Sequence, residues 1–149
     1  MNSPDFQNPE LSIVIPVYNE RDNLIPLEEK LEAELTKLNK SYEIILIDDG
    51  SNDGSAHLIE SMQKHNPRIR LIQFGHNHGQ SAAFAAGFKA AKGKVFVTLD
   101  ADLQNNPADI PLLLEEMEIM MLCVAGVTRE TTHGSRKSLQ KLAMQFVIN

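Results

Sequence analysis

The sequence predicts an open α/β fold in which a mostly parallel sheet carries helices on both faces. Two observations predict this class. Short apolar runs rich in β-branched residues recur along the chain, and they are apolar on both faces, as buried parallel strands are. Segments with helical periodicity separate these runs, which gives the order β-α-β-α-β-α-β.

The predicted elements follow in order along the chain. The four predicted strands are Ser12–Val17, Tyr42–Ile47, Ile69–Phe74 and Lys94–Leu99. The first helix is predicted from leucines at helical spacing, which are Leu27, Leu31, Leu35 and Leu38. A second helix begins near Gly54 or Ser55, an alanine-rich third covers Gln80–Ala91, and a fourth covers Pro107–Glu118. This succession brings the carboxyl ends of all the predicted strands to one rim of the sheet.

The composition is that of an ordinary globular domain and excludes several classes of protein. The chain has 149 residues, with 14 Lys and Arg against 20 Asp and Glu, so its formal net charge is −6. This acidic balance argues against nucleic-acid binding, which needs a basic face. The single cysteine, Cys123, excludes a disulfide scaffold and a cysteine-liganded metal site. The sequence shows neither a membrane span nor a secretory signal, and a cytoplasmic location is expected.

An acidic pair, Asp48 and Asp49, follows the apolar run of the second predicted strand. Ligands of open α/β sheets bind beyond the carboxyl ends of the strands. Two adjacent carboxylates repel each other unless hydrogen-bond donors face them, and the ring N–H of uracil or guanine and a ribose hydroxyl are such donors. Because Asp, Asn, Ser and Gly are all turn residues, a plain turn is the alternative.

A second acidic cluster follows the fourth strand, where one residue separates Asp100 from Asp102. Carboxylates suit Mg²⁺ or Mn²⁺, and these ions commonly bind substrate phosphates as well. The alternative is a turn in which an aspartate caps the next helix. The sequence contains neither the P-loop signature nor the glycine fingerprint of dinucleotide-binding folds. Phosphates are therefore expected to be neutralised by a metal ion and arginine.

Four segments form an ordered set of motifs, which read PVYNE, DDGSNDGS, NHGQSAAFAAGFKAAKG and TLDADLQNNP and extend from Leu11 to about Pro107. Together they resemble the family 2 glycosyltransferases with the GT-A fold. Within that family the sequence looks most like the polyprenyl-phosphate (dolichol- or undecaprenyl-phosphate) sugar transferases. The resemblance implies that a sugar is transferred, with inversion and a divalent metal, from a UDP- or GDP-sugar to an acceptor.

The resemblance also implies which residues bind the nucleotide. Val17, Tyr18 and Glu20 would line the base pocket, and Asp49 would read the base ring. Gln80 would lie beside the nucleotide. The implied binding set further contains Pro16, Ser51, Asp100 and Ala101.

On the metal side, the resemblance implies that Asp100 and Asp102 hold Mg²⁺ or Mn²⁺, with Asp102 the more direct ligand. Gln104 would lie near the metal or the diphosphate, and Arg129 would face a phosphate. The metal would stabilise the charge that develops on the leaving diphosphate. The implied catalytic set is therefore Asp102, Gln104 and Arg129.

The acceptor implied by the resemblance is a polyprenyl phosphate. A lipid phosphate is already anionic and needs no general base, whereas a hydroxyl acceptor would need one. Two rival functions stay open at this stage. One is a non-catalytic nucleotide-binding fragment, and the other is a phospho-acceptor signalling domain, in which the acidic pair usually follows the first strand.

The resemblance weakens after Pro111. Val124–Val127 is predicted to form the next strand, which in the family ends in Gly-x-Arg. Arg129 lies one residue further from Gly126 than that pattern requires. Residues 1–10 are expected to be a flexible segment, residues 11–128 the nucleotide-sugar-binding domain, and residues 129–149 the truncated start of an acceptor-side region.

An amphipathic helix is predicted over Ser135–Asn149, with an apolar stripe formed by Leu139, Leu142, Ala143, Phe146 and Val147. Packing against the core is the favoured interpretation. The alternative is peripheral contact with an anionic membrane, which would place the parent protein at the cytoplasmic face. A missing acceptor half would also expose apolar surface and favour homo-oligomers.

Overall fold

The computed structural model describes residues 8–117 and the strand Gln145–Val147. The strands are β1 (Leu11–Val17), β2 (Tyr42–Asp48), β3 (Ile69–Gln73), β4 (Val95–Thr98) and β5 (Gln145–Val147). They form one five-stranded sheet in the order β3-β2-β1-β4-β5, and every neighbouring pair is parallel. The predicted open α/β class with a parallel sheet is confirmed.

Helices connect the strands. α1 covers Arg21–Leu35 and continues as a 3-10 turn over Thr36–Leu38, α2 covers Ser55–His65, and α3 covers Gln80–Ala90. The 3-10 turn Pro107–Asp109 leads into a fourth helix, α4, of which the structure describes residues 110–117. Within residues 8–117, no helix is long and apolar enough to cross a membrane.

The sheet is covered on both faces because side chains alternate along each strand. On one face, α1, α2 and α4 pack against the sheet, and α1 buries Leu24, Leu27, Leu31 and Leu35. Burial contributes about 1.5–3 kcal/mol for each such side chain, so this stripe fixes α1 to the sheet. Leu38, which the predicted stripe included, lies in the 3-10 turn and is only partly buried.

On the other face, α3 lies unusually close to the sheet because Gly87 carries no side chain. A Cβ atom at Gly87 would overlap the side chain of Val14 and would lie 2.9 Å from Cδ1 of Ile47. Ala83, one turn earlier in α3, is fully buried in the same cluster. These two small residues of the predicted alanine-rich helix therefore hold α3 close to the sheet, and its first residue, Gln80, lies at the carboxyl edge.

A buried polar network closes the opposite, amino edge of the sheet. The carboxylate of Glu43 in β2 accepts hydrogen bonds from Ser12 Oγ at 2.7 Å, Arg70 Nη1 at 2.6 Å and the N–H of Lys92 at 2.7 Å. Burial acts to raise the pKa of Glu43, but these donors outweigh it and hold the pKa below its ordinary value. The network joins β1, β2 and β3 to the loop that precedes β4.

Two element predictions need correction. The fourth helix does not begin as an α-helix. Its first turn, Pro107–Asp109, is a 3-10 helix, in which the side chain of Asn106 accepts a hydrogen bond from the N–H of Ala108. The helix predicted over Ser135–Asn149 is wrong at Gln145–Val147, which forms β5 beside β4. This pairing satisfies backbone groups on the outer edge of β4. The predicted strand Val124–Val127 lies outside the described residues, as do Cys123 and residues 1–7.

Candidate functional site

A cleft of about 390 Å³ opens at the carboxyl edge of the sheet, beside the neighbouring ends of β1 and β4. This is the topological switch point, because the chain leaves β1 toward β2 but later enters β4 on the other side of β1. The volume lies in the range of small-ligand pockets. The lining residues are Pro16, Val17, Tyr18, Glu20, Asp49, Asn77, Gly79, Gln80, Asp100, Ala101 and Asp102.

The loops that follow β1 and β2 are joined through Asn19, which has a left-handed φ of 57°. Its N–H donates to Ser51 Oγ at 2.9 Å, and its Oδ1 accepts from the N–H of Asn52 at 2.9 Å. Ser51, predicted as a nucleotide-binding residue, contacts this neighbouring loop and is not among the described residues that line the cleft. The serine therefore supports the wall of the cleft.

Asp53 joins the first turns of α1 and α2. Its Oδ2 accepts from the N–H of Arg21 at 3.0 Å, and its Oδ1 accepts from the N–H and the hydroxyl of Ser55 at 2.9 and 2.6 Å. Partial burial acts to raise the pKa of Asp53, but the hydrogen bonds outweigh it and hold the pKa below its ordinary value. A carboxylate at two helix N-termini also interacts favourably with both helix dipoles.

Asp49 is buried in the wall of the cleft and fixes the loop between β3 and α3. Its Oδ1 accepts from the N–H of His78 at 2.7 Å, and its Oδ2 accepts from the N–H of Gly79 at 2.8 Å. Hydrogen bonds to a charged group contribute about 1.5–3 kcal/mol each. Because each carboxylate oxygen has two lone pairs, Asp49 keeps further acceptor capacity for a ligand in the cleft.

Gly50 brings the loop after β2 against the same β3–α3 loop. It has a φ of +75°, and a Cβ atom would lie 2.5 Å from the carbonyl carbon of His76 and 2.7 Å from the nitrogen of Asn77. Only glycine fits this close approach of two backbones without displacing one of them. The packing of the two loops therefore requires glycine at position 50, whether or not a ligand binds.

Asp48 differs from its neighbour, because it is the last residue of β2 and its side chain is completely buried. Neither of its carboxylate oxygens has a hydrogen-bond partner among the described residues. A buried acidic group without a partner is costly. Asp48 does not belong to the described lining of the cleft, so the acidic pair contributes one carboxylate to the cleft.

Asp100 and Asp102 lie on the β4 side of the cleft. Oδ1 of Asp100 accepts from the side-chain amide of Gln80 at 2.7 Å, and Oδ1 of Asp102 accepts from the N–H of Gln104 at 3.0 Å. The turn that follows contains Leu103 with a φ of 62°, which is rare for a branched residue. Backbone strain of this kind concentrates at functional sites.

The donor set of this side of the cleft fits Mg²⁺ or Mn²⁺. Asp100 and Asp102 supply two hard carboxylates at one cavity. No cluster of three or more His, Cys, Asp or Glu side chains suitable for a metal exists within the described part of the chain. A pair of carboxylates is enough for Mg²⁺, because this ion usually completes its coordination with water and substrate phosphates.

A comparison with known protein families identifies the family of the chain. A family model described as Glycosyl transferase family 2 matches residues 12–145. The chain belongs to glycosyl transferase family 2. The family resemblance predicted from the four motifs is thus confirmed.

Solved structures show that the fold is GT-A-like. A mannosyltransferase from Pyrobaculum calidifontis in complex with GDP-Man and Mn²⁺ is 24% identical, with a TM-score of 0.55, and the match covers 72% of this chain and 32% of that chain. TarS from S. aureus in complex with UDP-GlcNAc is 19% identical, with a TM-score of 0.58, and the match covers 73% of this chain and 31% of that chain. The chain thus spans about a third of the length of these structures.

The cleft brings together most of the predicted site residues of this family 2 domain, including Asp49, Gln80, Asp100 and Asp102. Gln104 does not line the cleft and instead supports Asp102 through its backbone. Arg129 lies outside the described residues. Asn77 and Gly79 line the cleft although neither was predicted, and their position in the NHGQ segment after β3 was the available signal.

Proposed function

We propose that this domain binds a nucleotide diphosphate sugar in the cleft and transfers the sugar to an acceptor with inversion. The observation that carries the proposal is the placement of Asp49 and of the Asp100–Asp102 pair at one cavity. They follow β2 and β4, which flank β1 in the sheet. Two strand spacings amount to about 10 Å, which suits a nucleotide with its base near Asp49 and its diphosphate near Asp102.

The base is proposed to bind against Val17 and Tyr18, with Asp49 accepting a hydrogen bond from a ring N–H. Tyr18 is 48% exposed, which is unusual for a large aromatic side chain and leaves its ring available to a base. Asp49 is already ordered by the N–H groups of His78 and Gly79. A carboxylate fixed before the ligand arrives loses little side-chain entropy on binding.

Asp100 and Asp102 are proposed to hold Mg²⁺ or Mn²⁺. A bound divalent ion would supply positive charge to the leaving diphosphate at the moment when the anomeric C–O bond breaks. The two aspartates would hold the ion beside the diphosphate, and the hydrogen bond from the N–H of Gln104 would fix the direction of Asp102. The new bond forms from an acceptor oxygen to the opposite face of the anomeric carbon, and the nucleoside diphosphate leaves.

The acceptor is proposed to be a polyprenyl phosphate at the cytoplasmic face of a membrane. The motif resemblance to polyprenyl-phosphate sugar transferases supports this choice. A phosphate monoester is an anionic nucleophile, so transfer needs no general base. Residues 11–128 are proposed to form the donor-binding domain, and residues 129–149 to begin the acceptor side, with Arg129 facing a phosphate.

A transfer assay tests this function directly. The 149-residue chain is incubated with Mn²⁺, a polyprenyl phosphate in detergent, and either GDP-Man or UDP-GlcNAc as probe donor. The expected result is release of one nucleoside diphosphate together with a lipid-linked sugar, and loss of both in Asp102→Ala. Release of nucleotide without a lipid product would contradict the proposed acceptor. Tight nucleotide binding with no consumption of a panel of UDP- and GDP-sugars would contradict catalysis and support a nucleotide-binding module.

A further inference from the structure

A hydrogen bond between side chains joins two strand ends at the cleft. The amide Nε2 of Gln80, the first residue of α3, donates to Oδ1 of Asp100 after β4 at 2.7 Å. Asp102, in contrast, accepts from the backbone of its own loop, at Gln104. One aspartate of the pair is therefore oriented locally, whereas the other is oriented by a different element of the fold.

The side chain of Gln80 is exposed, but the backbone that carries it is fixed on both sides. Gly87 and Ala83 pack α3 closely on β1 and β2, which fixes the helix that carries Gln80. The preceding residue, Gly79, donates its N–H to Asp49 at 2.8 Å. The backbone of Gln80 is thus fixed on its helical side by apolar packing and on its loop side by a buried carboxylate.

The acceptor, Asp100, has less support from its own element. The backbone N–H of Leu99 still bonds to Val14 at 3.2 Å, but the turn begins immediately after Asp100. Asp100 is partly exposed and lies directly before this turn. A carboxylate in such a position loses rotamer freedom when it binds an ion, and this lowers affinity unless another group orients it beforehand.

We propose that Gln80 is a positioning residue that orients Asp100 for the divalent ion and the donor diphosphate. The inference rests on the proposed function, because it concerns the same cleft. By holding Oδ1, the amide restricts the rotation of the Asp100 carboxylate and leaves Oδ2, which would be available to the ion. Gly79 donates to Asp49, and the adjacent Gln80 donates to Asp100. These two residues therefore also connect the base side of the cleft with its metal side.

The test compares Gln80→Met, which keeps the size of the side chain but removes its donor, with Ser81→Ala as the matched control. Ser81 is exposed on the same turn of α3 and does not line the cleft. Affinity for UDP and GDP is measured by calorimetry with Mn²⁺ and with EDTA. Removing a group that orients a metal ligand costs about 10–100-fold in metal affinity. We expect Gln80→Met to weaken Mn²⁺-dependent nucleotide binding about tenfold, with unchanged metal-free affinity and unchanged melting temperature.

A double-mutant cycle with Asp100→Ala separates positioning from direct contact. If Gln80 acts through Asp100, Gln80→Met has no further effect on affinity when Asp100 is already alanine. An equal loss in both backgrounds, or a loss that persists in EDTA, would show that Gln80 contacts the nucleotide itself and would overturn the proposal. Unchanged Mn²⁺-dependent affinity in Gln80→Met would also overturn it. If the unsubstituted chain shows no metal-dependent nucleotide binding, it is the proposed function that fails.

Discussion

Asp48 and Asp49 are adjacent in the chain, yet their carboxylates have opposite surroundings. Asp49 accepts two backbone hydrogen bonds, at 2.7 and 2.8 Å, whereas Asp48 has no donor among the described residues. The difference follows from strand alternation, because Asp48 is the last residue of β2 and Asp49 is the first residue beyond it. Two identical side chains therefore have different energetic roles.

The pair of substitutions Asp48→Asn and Asp49→Asn tests this difference. Asp49→Asn places an amide where two N–H groups need acceptors, so we expect the free energy of unfolding to fall by about 2 kcal/mol. Asp48→Asn removes a carboxyl group without partners, so we expect the free energy of unfolding to rise by about 1 kcal/mol. Urea denaturation of both variants measures the two changes. A comparable loss of stability in both would show that Asp48 has a partner after all.

Gly50→Ala is expected to damage both stability and nucleotide binding. The added Cβ would meet the backbone of His76 at 2.5 Å, and the loop that it displaces carries residues of the cleft. Gly54→Ala is the matched control, because Gly54 has a similar φ of +91° but its Cβ would meet Arg21 at an ordinary 3.5 Å. We expect about 1 kcal/mol of strain in Gly54→Ala and about 2–4 kcal/mol in Gly50→Ala. Equal losses in thermal denaturation would contradict the close approach of the two loops.

The Glu43 network predicts a specific dependence of stability on pH. The pKa of Glu43 in the folded chain is below the ordinary value of 4.5. The network therefore stabilises the fold above about pH 4.5, and this stabilisation is lost as the pH falls through the folded pKa. We expect Glu43→Gln to lower the free energy of unfolding at pH 7 by about 2 kcal/mol. The variant should also have a shallower decline below pH 4.5 than the unsubstituted chain. If the curves of unfolding free energy against pH were parallel for Glu43→Gln and the unsubstituted chain, Glu43 would not be the source of this pH dependence.

Asp53→Ala is expected to destabilise the chain by about 1–2 kcal/mol, because one carboxylate caps both α1 and α2. Asp22→Ala is the control, since Asp22 lies exposed in the first turn of α1 and receives no such pair of caps. Its loss should not exceed about 0.5 kcal/mol. Thermal melts followed by circular dichroism measure both variants, and a similar shift in the two would argue against the double cap.

The strands and the location of the cleft could be predicted because both depend on local pattern. Apolar runs indicate strands, and parallel strands direct their carboxyl ends to one edge. The burial of Asp48 and the hydrogen bond between Ser51 and the loop after β1 could not be predicted in this way. The predicted second strand ended at Ile47, but β2 extends by one residue to Asp48. That single residue decides whether a carboxylate faces the core or the cleft.

Contacts between distant segments of the chain could not be predicted from local sequence patterns either. The hydrogen bond from Gln80 to Asp100 requires β4 to lie beside β1, and this neighbourhood appears only in the sheet order. The partners of Glu43 likewise come from three other segments of the chain. Sequence periodicity would place Glu43 in an apolar strand, but it does not indicate which donors compensate its burial.

Metal-dependent binding of a nucleotide in the cleft is the central claim, and calorimetric titration of the 149-residue chain with UDP and with GDP tests it most directly. Each titration is run with Mn²⁺ and with EDTA, for the unsubstituted chain, for Asp102→Ala and for the control Asp109→Ala. Asp109 is exposed in the 3-10 turn Pro107–Asp109 and does not line the cleft. We predict that one nucleotide binds in Mn²⁺, that EDTA and Asp102→Ala abolish the metal-dependent part, and that Asp109→Ala binds normally. Failure of both nucleotides to bind, or binding that neither EDTA nor Asp102→Ala weakens, would contradict the proposed donor site.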